Sequence, residues 1–104
     1  MNPARVATEI RLNFHEWPGN CSKIAIACIE HGLVPKGSKR CYGQWHGYIS
    51  PKSMFAARSF SHHSWIEIKD GRIYDPTRWV FEARTPYIFV GENLGEYDLA
   101  GCNT

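Results

Sequence analysis

Between Trp17 and Pro35 the chain has room for one regular element, a single short helix. Trp17-Pro18-Gly19-Asn20 is turn chemistry that ends whatever precedes it. Asn20 is a good N-cap, and Ser22 to Glu30 holds few residues that break a helix. Cys21, Ile24, Ala25 and Cys28 recur at i, i+3, i+4 and i+7 and form one apolar face. His31-Gly32 closes the segment, with Gly32 where a left-handed residue ends helices and Pro35 just beyond. A helix starting at Cys21 must bury that stripe against something else.

The rest of the chain supplies strands. His63 to Ile68 is β-branched and aromatic, Asp70-Gly71 turns, and Arg72 to Asp75 returns, which reads as a hairpin. Cys41 to Ser50 reads as another strand, centred on Tyr42 to Ile49, with Gly43 and Gly47 as weak points. Trp79-Val80-Phe81 and Tyr87 to Val90 are further strand candidates, separated by Thr85-Pro86. Residues 4 to 16 fit both periods: Val6 and Ile10 suit a helix face, while Ile10, Leu12 and Phe14 alternate like a strand. Lys36 to Arg40 is a basic loop, Pro51 to Phe60 is irregular or a short helix, and the Gly-rich tail from Gly91 is expected to wrap the surface. There are no repeats and no second domain. The expectation is one α+β domain over residues 1–104, its cysteine-bearing helix packed on a small antiparallel sheet.

Composition narrows the function classes. With 43% hydrophobic and 21% charged residues, the chain is an ordinary globular domain with a modest core. A net charge of +2 is too mild to argue for nucleic acid or an anionic membrane. No apolar run approaches the roughly 18 residues of a spanning helix. Met1-Asn2-Pro3-Ala4-Arg5-Val6 has no apolar signal core, so a cytoplasmic setting is expected (a host cytoplasm for a viral protein), with the four cysteines reduced. Cys21 and Cys28 stand seven apart on one helix, about 10 Å along its axis, too far for a disulfide between them. No Cys-x-x-Cys or His-x3-His pair is present, so neither a metal nor a cofactor is expected.

Three residues carry chemistry in these settings. A cysteine in the first turn of a helix faces unsatisfied N–H groups and the positive end of the helix dipole, both of which favour the thiolate. The same N–H groups can hold the oxyanion that forms when a thiolate attacks a carbonyl. His63 begins a strand and shares a face with Trp65 and Glu67, while His62 points the other way, so His63 is the candidate base and acid. Asp75 would orient that imidazole. The turn decides whether it can. A two-residue turn at Asp70-Gly71 pairs Ile66 with Asp75 and puts His63 and Asp75 on opposite faces. A three-residue turn, Lys69-Asp70-Gly71, with Gly71 left-handed, shifts the register by one. Trp65 then faces Asp75, and His63 lies diagonal to it, roughly 7–8 Å away at the backbone, which side chains can bridge.

In their order, Gly19-Asn20-Cys21, Gly32-Leu33-Val34-Pro35, Trp45-His46-Gly47-Tyr48, His63-Ser64-Trp65-Ile66-Glu67 and Asp75-Pro76-Thr77 resemble the transglutaminase-like branch of the papain-like cysteine enzymes. The likeness spans residues 17 to 79. It implies a helix packed on an antiparallel sheet, Cys21 as nucleophile, His63 as base and acid, and Asp75 as orienter. It also implies attack on a peptide-like amide of a peptide or protein substrate, a thioester intermediate, and transfer to water or an amine. Papain-like peptidases carry a Gln six residues before the cysteine; His15 stands there in this chain. The oxyanion and substrate candidates are therefore His15, Trp17, Asn20, Gln44 and Trp65, with the Cys21 backbone N–H. The competing expectation is a non-catalytic or effector-type binding module on the same fold, of the kind phages encode.

Overall fold

The structure is a computed structural model that describes residues 2–56 and 61–103; the last part of the segment expected to be irregular or helical, 57–60, lies outside the described residues. The N-terminal segment, which fitted both periods, is a helix, α1 (Pro3–Ile10), followed by a 3-10 turn at Phe14–Glu16. Local chemistry decides it: Pro3 occupies the first turn, and the Asn2 side chain accepts from the Ala4 N–H at 2.9 Å. The helix expected from Cys21 is α2 (Cys21–Glu30), and it ends where Gly32 adopts φ +67°. Its buried residues are Ile24, Ala25 and Cys28, three of the four in the apolar stripe.

Among the described residues five strands follow: β1 (Lys39–Trp45), β2 (Ser61–Glu67), β3 (Ile73–Asp75), β4 (Phe89–Gly91) and β5 (Tyr97–Asn103). They form one antiparallel sheet in the order β4-β3-β2-β1-β5. Alternate residues of β2 serve two cores. Ile66 joins Val6, Trp17, Ile24, Ala25, Cys28 and Tyr74 beneath α1 and α2. Trp65 joins Trp45, Ile73, Phe81 and Tyr97 on the other side, where Trp45 stacks on Phe81 with ring centroids 4.9 Å apart. Completely burying Ile24 and Ile66 contributes about 1.5–3 kcal/mol each.

The β2–β3 hairpin takes the bulged form. Gly71 has φ +90°, its N–H donates to the Ile68 carbonyl at 2.9 Å, and the Ile68 N–H donates to the Arg72 carbonyl at 2.9 Å. Ile66 therefore pairs with Tyr74 and Glu67 with Ile73, the register of the three-residue turn. An L side chain at Gly71 would meet no steric clash, so its penalty would be backbone strain alone.

Three expectations are corrected. Trp79-Val80-Phe81 is not a strand but the middle of a third helix, α3 (Arg78–Glu82). Asp75 holds Thr77 in a turn directly before it, and an Arg78–Glu82 ion pair at i,i+4 spans it, which overrides the strand preference of these side chains. The C-terminal tail does not merely wrap the surface: Tyr97–Asn103 is the edge strand β5, paired with β1. That pairing sets Cys102 directly across from Cys41, with Cα atoms 4.0 Å apart, and the two form a disulfide. The expectation of four reduced cysteines fails because it took no account of β5. Carboxymethylation in denaturant without reductant should accordingly add two groups, on Cys21 and Cys28, and four after reduction. Four additions without reductant, read by mass, would contradict the pairing.

Candidate active site

The first turn of α2, the start of β2 and the end of β3 bring Cys21, His63 and Asp75 together. His63 Nε2 lies 2.7 Å from Asp75 Oδ2, with both side chains essentially inaccessible to solvent. The bulged turn makes this possible by placing residues 63, 65 and 75 on one face. His63 Nδ1 is buried and makes no hydrogen bond of ordinary geometry; Cys21 is the group close enough to couple to it. The ring packs edge-on to Trp45 and Phe81, at centroid distances of 5.7 and 4.9 Å, and Gly43 is its neighbour across β1. These contacts hold the imidazole in one orientation between acid and thiol.

Asp75 is saturated with donors. The Thr77 N–H reaches Oδ1 at 3.0 Å and the Thr77 hydroxyl at 3.3 Å, while the Tyr97 hydroxyl donates to Oδ2 at 2.9 Å. Thr77 explains why Asp75-Pro76-Thr77 works as a unit: the carboxylate caps the turn that its own chain makes. Sequence reasoning missed Tyr97, and no local signal could have found it, because it lies 22 residues away on the strand taken for a surface tail.

Charge follows from this geometry. Burial pushes the Cys21 thiol up, but contact with His63, its positive charge and a Ser64 main-chain N–H outweigh burial and hold it below its ordinary value. For His63, burial works against the charged form, yet Asp75 and then Cys21 prevail and push it up to about 9. Burial would raise the Asp75 carboxyl, but the His63 charge and the Thr77 and Tyr97 bonds keep it below the usual carboxylate range. The arrangement therefore favours a thiolate beside an imidazolium. His63's raised value means that its pairing stabilises the fold fully below its ordinary 6.5 and is lost as pH rises through about 9. Asp75 has the opposite sign: its contribution is present above the ordinary carboxylate range and is lost on acidification.

The triad meets the surface at a cavity of about 570 Å³ lined by Cys21, His63, Trp17, Gln44, Phe81 and neighbours. Of the oxyanion and substrate candidates, Trp17 and Gln44 line it. Trp17 spends its indole N–H on the Leu12 carbonyl at 2.9 Å, so it offers an apolar wall and no donor. Gln44 keeps a side-chain amide at the cavity. His15 is exposed on the 3-10 turn, and Trp65 is buried beside His63; neither is among the cavity's described lining residues. Asn20 turns its amide back to the Glu16 carbonyl at 2.6 Å and gives α2 no side-chain cap. The opening N–H groups of α2, Cys21 included, thus stay free of side-chain caps beside the sulfur. His62, expected to point away from His63, is exposed and reaches the same cavity rim.

The grouping of ligating atoms among the described residues is Cys41, Glu67 and Cys102, whose two sulfurs are joined to each other. Among the described residues no helix is long and apolar enough to cross a membrane. Comparison with protein-family models, curated proteins and solved structures finds no match.

Cys28 provides an internal standard, since burial alone pushes its thiol up to about 12. Iodoacetamide should label Cys21 well before Cys28 in the folded protein, and His63→Ala should slow that labelling and move its inflection to higher pH. Equal rates at the two thiols, or indifference to His63→Ala, would overturn the thiolate–imidazolium reading.

Proposed function

We propose that the chain is a thiol-dependent hydrolase or acyltransferase, acting on a peptide-like amide through Cys21, His63 and Asp75. The observation that carries this is the buried His63–Asp75 contact of 2.7 Å, with Cys21 coupled to the other side of the ring at the floor of a cavity. The order of the residues and their settings also support kinship with the transglutaminase-like branch of the papain-like enzymes.

The Cys21 thiolate attacks the amide carbon, forming a C–S bond while the carbonyl electron pair moves onto oxygen. The α2 N–H at Cys21 and the Gln44 amide are the donors assigned to that oxyanion. As the tetrahedral intermediate collapses, the C–N bond breaks and His63 Nδ1 gives its proton to the leaving amine. The product is a thioester on Cys21 with neutral His63. Water or an amine then attacks, His63 takes its proton, and the C–S bond breaks to return the thiolate–imidazolium pair. Asp75 holds the ring through Nε2 throughout, and Tyr97 and Thr77 keep its carboxylate ionised.

An activated ester, p-nitrophenyl acetate, tests the acyl chemistry without knowledge of the natural substrate. Acetyl should appear on Cys21 by mass, and p-nitrophenol release should fall to background in Cys21→Ala. His63→Ala should lower the rate by about 10²–10⁴-fold. Asp75→Asn should cost less at neutral pH but draw the alkaline limb downward from about 9, because the imidazolium loses its counter-charge. Release unchanged in Cys21→Ala would defeat the enzyme reading and leave a binding module.

A further inference from the structure

Among the described residues, the cavity beside Cys21 carries an arginine with no carboxylate paired to it. Arg40 lies on β1, and its Nη1 donates to the Ser22 hydroxyl at 3.3 Å, one residue from the nucleophile. Its guanidinium carbon sits 5.1 Å from the centre of the Tyr42 ring. Among the described residues it has no carboxylate partner, in contrast to Arg72, Arg78 and Arg84. Its Nε is buried and makes no hydrogen bond. No Asp or Glu is among the described residues lining the cavity, whose apolar wall comes from Trp17, Phe55, Val80 and Phe81.

A buried, unsatisfied guanidinium donor costs stability, of the order of a lost hydrogen bond to a charged group. The planar fork of an arginine suits one ligand class best, a carboxylate held by two parallel N–H bonds. Arg40 lines the cavity, and the Ser22 bond and the Tyr42 ring fix its guanidinium there.

We propose that Arg40 selects acyl substrates bearing a carboxylate close to the amide under attack, with an apolar group beside it. This rests on Cys21 being the nucleophile. In this role Arg40 binds the substrate's carboxylate and orients the amide over the sulfur without exchanging protons. The source is either an acidic side chain or a free chain end, since both present the same group.

Alkylation reads the charge without requiring turnover. Iodoacetate and iodoacetamide deliver the same carbon to Cys21, one with a carboxylate and one without. Arg40→Gln should lower the iodoacetate-to-iodoacetamide rate ratio about tenfold, leaving the iodoacetamide rate within about twofold, and salt should weaken the wild-type preference. Arg40→Lys should keep most of the ratio. Should Arg40→Gln fail to fold, Arg40→Met keeps the aliphatic stem and removes the charge. An unchanged ratio in a folded neutral variant overturns the proposal even if Cys21 proves catalytic. Conversely, loss of the catalytic reading in the ester assay leaves the alkylation ratio interpretable. Peptide anilides carrying Glu or Gln next to the reacting carbonyl, and peptides with a free or amidated C-terminus beside the amide, then separate the two carboxylate sources. Preference for neither acidic member would also overturn it.

Discussion

An imidazole and a carboxylate share an almost solvent-free interior in this protein, and much of the fold is arranged so that they can. Either group buried alone would carry the large penalty of an unpaired charge. The His63–Asp75 bond at 2.7 Å satisfies one side of each, and the remaining acceptor positions of Asp75 are taken by Thr77 and Tyr97. Meeting those demands requires a bulged hairpin to align β2 with β3, a turn into α3 to present Thr77, and an edge strand to bring Tyr97. Arg78 links the last two, pairing with Glu82 of α3 and with Glu96 beside Tyr97, and its guanidinium lies over Phe89 and Trp45. The disulfide between Cys41 and Cys102 ties the far end of that edge strand to β1.

The two free cysteines show how environment divides one chemical group into two behaviours. Cys21 and Cys28 stand on the same helix, Cys28 fully buried and Cys21 half-buried at the cavity. Cys28 lies in the core cluster beneath the helices, and burial pushes its thiol up to about 12. Burial also works against the Cys21 thiolate, but Cys21 stands at the helix start beside the His63 ring and a main-chain donor, and ends below its ordinary value. The difference comes from seven residues of helix, which carry the sulfur from the core to the rim of the sheet.

Where structure is set by neighbours in the chain, the sequence was legible. Turn residues on both sides delimited α2, and the Lys69-Asp70-Gly71 turn offered two registers, of which the bulged one aligns His63 with Asp75. The N-terminal helix was signalled by Asn2-Pro3, a cap and a first-turn proline, but the alternation of Ile10, Leu12 and Phe14 obscured it. What could not be read locally was long-range. Trp79, Val80 and Phe81 have strand-forming side chains, yet the helix that holds them packs Phe81 against Trp45 and Trp79 against Trp17, contacts made across the fold. β5 contains two of the tail's least strand-like features, Asp98 and Gly101, and pairs because β1 offers an open edge. Tyr97 and the disulfide follow from that pairing and were invisible without it. Among the oxyanion candidates, His15 was inferred by position, and the 3-10 turn that carries it leaves it exposed outside the cavity wall.

Nitrogen NMR of the His63 ring at neutral pH tests the central claim most directly, because the ring reports both neighbours at once. A doubly protonated imidazolium should persist until pH approaches about 9, with Cys28→Ser leaving it unchanged and Cys21→Ser lowering its titration point. A neutral His63 ring at that pH, or a titration point indifferent to loss of the Cys21 sulfur, would contradict the thiolate–imidazolium pair on which the proposed chemistry stands.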